Sequence, residues 1–182
     1  MQFIENIKRF LRKGKAKRLI GSSKRVLLLK ELSDVKTIGV VFDASSEDLY
    51  RRSAHLVRHF SAMHKIVRSI SIVKSDMLPP YVDSTLSFNY VLNKEISWVG
   101  IPKNKYVDNF VKQEFDLLIN LDFKGNSSLN FIVNTSLAHL KVGMNTGNSE
   151  VELDFMLEGI KENDLSIFMR ELLKYLELIK TK

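Results

Sequence analysis

From residue 36 onward the sequence alternates short apolar runs of strand type with segments of helical periodicity. The first run, Thr37–Phe42, is continuous, β-branched and aromatic, which is typical of a strand buried on both faces. Strands and helices that alternate in this way form a mostly parallel sheet with helices on both faces. We therefore predict an α/β fold, with a Rossmann-like three-layer domain over residues 35–182.

The predicted elements follow one another along this domain. Ser45, with Asp48 three residues later, indicates the start of a helix after the first strand. A second helix follows Gly125–Ser128, and a last one runs from about Asp164 to Lys180. Further strands are predicted at Ile66–Val73, Phe115–Leu121, Lys141–Met144 and Leu153–Leu157. The stretch between Val73 and Phe115 is less regular and gives only weak assignments.

Charge is distributed very unevenly between the first 30 residues and the rest of the chain. The first 30 residues hold ten Lys or Arg and one acid, Glu5, so their net charge is +9. Since the net charge of the whole chain is +7, the remaining residues carry a net charge of −2. A dense cationic segment is attracted to polyanions, which here means nucleic acid or an anionic membrane surface. We treat residues 1–34 as a basic helical N-terminal arm.

Within the arm, apolar residues recur with helical spacing. Phe3, Ile4, Ile7, Phe10 and Leu11 share one stripe, and basic residues occupy the other faces. A second short helix is predicted through Val26–Leu32, after a break at Gly21–Ser23. The stripe fits three partners equally well: the body of the same chain, a second copy of the chain or a lipid interface.

We expect the arm to contact RNA or a ribonucleoprotein, with the ribosome as one example. Phosphate contact is favoured over base stacking, because the arm has no Tyr or Trp among its cations. The candidate nucleic-acid-binding residues are Lys8, Arg9, Arg12, Lys13, Lys15, Lys17, Arg18, Lys24 and Arg25. A solvated helix face and a membrane-peripheral adaptor are the alternatives, and a homo-oligomer stays open.

Four segments together resemble a family of proteins. Ser97–Lys103, Phe115–Leu121, Lys141–Gly143 and Asp154–Leu157 are similar to an uncharacterised domain-of-unknown-function family of Bacteroidota, over most of residues 36–180. That family brings no assigned activity. More distantly, the strand Phe115–Leu121 resembles one in the N-terminal half of glycosyltransferases of the ADP-heptose (GT-B) type, with Asn120 in place of an Asp. This likeness implies a retained fold with the transferase chemistry lost.

An enzyme active site is considered at the carboxyl ends of the strands, where open parallel sheets bind ligands. Asp43, Asp122 and Asn145 are each predicted near such an end and form a candidate ligand crevice. The alternative function is therefore a nucleotide- or sugar-nucleotide-binding enzyme, or the relic of one. Asp and Asn are also common in caps and turns, and no catalytic or cofactor motif is present, so we predict no cofactor and lean against enzymatic activity.

Other candidate groups carry weaker signals. His55 and His59 have the spacing of metal ligands, but Arg51, Arg52 and Arg58 lie on the same side of the predicted helix, and no metal site is predicted. The same five residues form a second basic stripe. The only tryptophan, Trp98, is expected to be buried against the sheet.

Three features favour a cytoplasmic protein. The chain has no cysteine, its start does not show the charged and then apolar pattern of a secretory signal, and no apolar run is long enough for a membrane span.

Overall fold

The computed structural model describes residues 2–145, 147, 150–160 and 164–179, and the side chains from residue 4 onward. Within these residues the helices are α1 (Gln2–Ile20), α2 (Glu47–Ala62), α3 (Lys105–Lys112), α4 (Ser127–Thr135) and α5 (Leu165–Leu178). The strands are β1 (Thr37–Asp43), β2 (Ile66–Val73), β3 (Phe88–Leu92), β4 (Leu117–Asn120), β5 (Leu140–Met144) and β6 (Phe155–Leu157). Lys180, where the last helix was expected to end, and the side chain of Phe3 lie outside the described part.

The six strands form one parallel sheet in the order β3-β2-β1-β4-β5-β6. This is the strand order of the doubly wound Rossmann fold, in which the order reverses between β1 and β4. The predicted α/β class and Rossmann-like three-layer architecture are confirmed.

Alternate residues of each central strand pack into two separate layers. On β1, Val40 belongs to a core with α2 and α5, whereas its neighbour Val41 belongs to a core with α3 and α4. Strands that are buried on both faces in this way have continuous apolar sequences, as Thr37–Phe42 does. The glycine in this run sits where a side chain would not fit, because a Cβ on Gly39 would lie 2.8 Å from Leu118 Cδ1.

The helix α1 lies outside the sheet layers, against α3 and α4. It runs through Gly14 without a break. The second short helix predicted over Val26–Leu32 is wrong, because residues 23–31 have no regular structure.

Two cations tie this irregular segment to the body. Arg25 donates to the carbonyl oxygens of Ala138 (2.7 Å) and His139 (2.8 Å) and pairs with Asp154. Lys30 pairs with Asp116, which also accepts hydrogen bonds from the backbone N–H groups of residues 36 and 37. Contacts to residues this distant in sequence outweigh any local preference for a helical turn.

Two further differences concern α3 and the start of α2. The sequence did not predict α3, which begins after Asn104, whose side-chain oxygen accepts from the N–H of Tyr106 at 2.8 Å. The N-cap of α2 is Ser46 and not Ser45. The hydroxyl of Ser45 instead accepts from the N–H of Lys74, at the end of β2.

Candidate functional site

The C-terminal half of α1 is fixed to the body by a small apolar cluster. Ala16 and Leu19 of α1 pack against Val99, Ile101 and Phe131, the last of which belongs to α4. The basic helix is therefore held at a defined position next to the loop that contains Val99.

Arg12 strengthens this attachment with polar contacts. Its side chain is only 8% exposed, and its Nη1 donates to the carbonyl oxygen of Val99 at 3.2 Å. Its Nη2 pairs with Glu5 at 2.8 Å and lies 3.7 Å from a carboxylate oxygen of Glu150. Arg12 was predicted to bind nucleic acid, but the structure places it as a link between α1 and the neighbouring loop.

Two other predicted nucleic-acid-binding residues also have partners in the protein. Lys8 lies 3.7 Å from Glu5 on α1, and Arg25 is bound to Asp154 and two carbonyl oxygens, as described above. Contacts of this kind reduce what a side chain can offer to an external phosphate.

The remaining six predicted residues share one property. Each has no hydrogen bond or ion pair with any residue in the described ranges, and the side chain of each is exposed. They are Arg9, Lys13, Lys15, Lys17, Arg18 and Lys24. Five of them lie on α1, so the helix presents a concentrated and unneutralised positive charge on one side of the molecule.

Trp98 lies in the loop that α1 holds, and the expectation that it is buried is wrong. Its side chain is 72% exposed. The loop has a constrained shape, since Gly100 adopts a φ of +79° and a Cβ there would lie 2.7 Å from Ser127 Oγ. The sequence carried one signal for this site, the lone tryptophan beside Gly100 and Pro102, but not its exposure or its position beside the arm.

A second exposed aromatic residue lies close in the chain, on α3. Tyr106 is half-exposed, and the ammonium group of Lys105 lies 5.5 Å from the centre of its ring. Lys103, in the same segment, is also exposed. The helix α3 contacts α1, and Tyr106 lines a groove along β3 and α3.

The apolar stripe at the start of α1 does not pack on the body. Ile4, Ile7, Phe10 and Leu11 are all exposed, Phe10 to 76%. The body of the same chain therefore leaves most of Phe10 uncovered and covers the other three side chains only in part. No helix in the described ranges is long and apolar enough to cross a bilayer.

The carboxylates at the strand ends are close together but already engaged. Asp43 accepts from the N–H of Ser45 at 2.8 Å, and Asp122 accepts from the N–H groups of Lys124 and Asn126. Burial raises the pKa of Asp122, these backbone N–H groups offset part of the rise, and the charge of Asp43 adds to it. Both side chains thus stabilise turns, as Asp does at helix starts.

The third member of the predicted crevice, Asn145, donates from its side chain to Glu158 at 2.7 Å. The first turn of α2 adds Glu47 and Asp48, whose carboxylates are paired with arginines one turn further along the helix. The carboxylate of Asp43 lies 4.0 Å from the ammonium group of Lys74. In the described part of the chain, no group of three or more His, Asp or Glu side chains is arranged to hold a metal ion.

The second basic stripe lies on the other side of the sheet. Arg51 and Arg52 pair with Glu47 and Asp48 along α2, and α2 packs on α5, whereas α1 packs on α3 and α4. The stripe and the arm therefore do not form one surface. An open groove of about 1280 Å³ runs along β3 and α3, lined by Arg68, Asn89, Asn109 and Tyr106 among others.

Comparison with known proteins identifies the family. A model of a family of unknown function, DUF6913, matches residues 6–179. The chain belongs to the DUF6913 family. The match includes most of α1 as well as the whole sheet of this DUF6913 protein. No curated protein and no solved structure is similar to the chain at a significant level.

Proposed function

We propose that this DUF6913 protein binds single-stranded RNA, alone or within a ribonucleoprotein such as the ribosome, through the side of the molecule formed by α1 and the loop 97–102. The observation that supports this proposal is that six cations without a partner in the described ranges occur together with the exposed Trp98. The hydrogen bond from Arg12 to Val99 connects α1 to the loop that contains Trp98. A protein that acts on RNA in this way would work in the cytoplasm.

The two components supply different parts of the interaction. Lysine and arginine side chains attract the phosphates of any sequence and make affinity fall steeply with salt. An exposed indole offers a face on which a base stacks, which is worth about 1–3 kcal/mol per base. Nothing in the described part of the chain neutralises Lys13, Lys15, Lys17 or Arg18, so these four are expected to carry the salt dependence.

The experiment compares two variants of the full chain that lose the same charge. One carries Lys13→Gln, Lys15→Gln, Lys17→Gln and Arg18→Gln. The matched control carries Arg51→Gln, Arg52→Gln, Arg170→Gln and Lys174→Gln on α2 and α5. Affinity for a fluorescent uridine oligomer is measured over a salt series, and co-sedimentation with ribosomes is measured in a lysate.

The proposal expects the arm variant to lose most of its affinity and salt dependence, with a slope reduced by roughly 0.7 for each phosphate contact removed. The control variant should bind like the natural chain. Equal losses in both variants would show a general charge effect, and no salt-dependent binding by the natural chain would contradict the proposal.

A membrane-peripheral role is the second candidate, favoured by the exposed stripe Ile4, Ile7, Phe10 and Leu11 beside the cations of α1. A helix with this pattern can lie in the interface of an anionic membrane. Flotation with vesicles that contain or lack anionic lipid tests it, with Phe10→Ser as the variant. Flotation that requires both the anionic lipid and Phe10 would support this role, and pairing of two chains through the stripe would appear instead as Phe10-dependent dimers in sedimentation.

A nucleotide-sugar enzyme related to glycosyltransferases has less support from the geometry. The strand-end carboxylates Asp43 and Asp122 already accept hydrogen bonds from backbone N–H groups of the adjacent turns. A thermal-shift screen with nucleotides and sugar nucleotides, comparing the natural chain with Asp122→Asn, tests this alternative.

A further inference from the structure

A cavity of about 290 Å³ lies between α1, α4 and the segment that precedes β6. Arg9 and Lys13 of α1 line it on one side, and Asn130 and Thr135 of α4 line it on the other. Its volume is near the lower end for ligand sites, which suits one nucleotide unit better than a larger molecule.

The α4 side of the cavity contains buried polar groups without partners. Asn130 is 4% exposed and Thr135 is 1% exposed. In the described part of the protein, the amide nitrogen and oxygen of Asn130 have no hydrogen-bond partner, and the hydroxyl of Thr135 has none either. Buried polar groups are nearly always paired, because an unpaired one loses its bonds to water and gains nothing in return. The amide atoms of Asn130 are covered in this conformation although the residue lines the cavity, so an occupant bonds them once the Asn130 side chain turns toward the cavity.

The cavity borders the RNA-binding side proposed above. Ser127, which also lines it, faces Gly100 in the loop that carries Trp98. Arg9 and Lys13 have no partner within the described ranges, so both are available to a phosphate at the mouth of the cavity. Glu152, on the third side, offers a carboxylate to the amino group of a base.

We propose that this cavity takes one unstacked base of the bound RNA strand and that Asn130 reads its edge. This inference rests on the proposed function and deepens it. Single-stranded RNA is recognised through bases turned out of the strand and bonded along their edges. A primary amide accepts from the amino group of adenine and donates to its N7, and the carboxylate of Glu152 favours a base with an amino group over uracil, so we name adenine as the occupant.

The experiment measures affinity of the full chain for adenosine, uridine and cytidine oligomers of equal length, which share the same backbone. The natural chain should bind the adenosine oligomer about tenfold more tightly than the others, as one bidentate pair provides. Asn130→Leu and, separately, the isosteric Thr135→Val should reduce this preference to about twofold or less. The matched control is Asn109→Leu, which replaces an exposed amide on α3.

Three readouts separate a reading role from a general defect. The salt slope of Asn130→Leu should equal that of the natural chain, because the phosphate contacts are untouched. Its Tm should not fall, since the variant removes a buried polar group that has no partner. The uridine affinity should be unchanged, whereas the adenosine affinity falls.

Two results would overturn the inference and keep the proposed function. One is salt-dependent RNA binding with no preference among the three oligomers, and the other is a preference that survives both Asn130→Leu and Thr135→Val. If no oligomer binds at all, the proposed function fails and this inference fails with it.

Discussion

Arg12 and Val99, 87 residues apart in sequence, are joined by a hydrogen bond of 3.2 Å from the guanidinium to the carbonyl oxygen. This bond connects the cationic helix to the loop that carries the only tryptophan of the chain. It fixes α1 next to the residue that follows Trp98 in the chain. If α1 and the loop 97–102 bind RNA as proposed, Arg12 contributes by positioning other groups.

This role predicts different effects for two variants that each remove one positive charge. Arg12→Met should reduce RNA affinity more than Lys15→Met and should also lower stability by about 1–3 kcal/mol, because it leaves the buried carbonyl oxygen of Val99 without its guanidinium donor. Lys15→Met should change affinity slightly and stability hardly at all, since Lys15 is exposed. Urea unfolding and oligomer titration measure both quantities, and equal effects in the two variants would contradict the positioning role.

Trp98→Ala should weaken binding of a uridine oligomer by about 1–3 kcal/mol, the value of one lost stacking contact. Stability should stay within about 0.5 kcal/mol, because the side chain is 72% exposed. Since the chain has a single tryptophan, quenching of its intrinsic fluorescence reports the contact without a label. Leu86→Ala, which truncates another exposed side chain, is the control. Unchanged affinity and fluorescence that does not respond to RNA would exclude Trp98 from the surface.

The parts of the fold that were predicted from sequence are those with local causes. The strand Thr37–Asp43 is buried on both faces and has a continuous apolar interior, whereas Ile66–Val73 is recognised by its β-branched residues, although Arg68 and two serines interrupt them. The helix Lys105–Lys112 has only eight residues, too few for a clear period, and it was missed.

The parts that were not predicted have causes distant in sequence. Residues 26–29 are four consecutive apolar residues, a pattern that fits helix or extended chain equally well. Arg25 and Lys30 bind residues more than 80 positions away in sequence, and these contacts favour the irregular chain over a helix. The exposure of Trp98 and the cavity between α1 and α4 also depend on contacts between distant residues, so the cations of the candidate site could be predicted from sequence but these two features could not.

Asp116 should make the protein sensitive to acid. Burial raises the pKa of Asp116, but the hydrogen bonds from Lys30, Thr37 and Lys36 outweigh it and lower this pKa to about 2. Because the folded pKa is below the unfolded one, the stabilisation is present above about pH 4 and is lost as the pH falls toward 2.

Measured by urea unfolding, the natural chain should lose about 1 kcal/mol more than Asp116→Asn between pH 5 and pH 3. At neutral pH the variant should be less stable, since it loses the charge that holds Lys30. Asp76→Asn, at an exposed position, should follow the natural chain across the whole range. A constant difference between the natural chain and Asp116→Asn over this range would contradict the lowered pKa.

Lys141 should have the opposite effect, at alkaline pH. Its side chain is buried on β5 next to the carbonyl oxygen of Asn134, at 3.3 Å. Burial, aided by the charge of Arg25, lowers the pKa of Lys141 to about 8, although Asp154 and Glu152 act against this.

Between pH 8 and about 10.5 the unfolded chain therefore binds more protons than the folded one, so stability rises with pH over this window. The free energy of unfolding of the natural chain, relative to that of Lys141→Met, should increase by about 1–2 kcal/mol from pH 7 to pH 9.5. Lys112→Met, at an exposed position of α3, should show no such pH-dependent difference. If Lys141→Met gave the same pH profile as the natural chain, the pKa of Lys141 would not be lowered. The surroundings of Lys141 would then have to stabilise its ammonium group more than its neighbouring residues indicate.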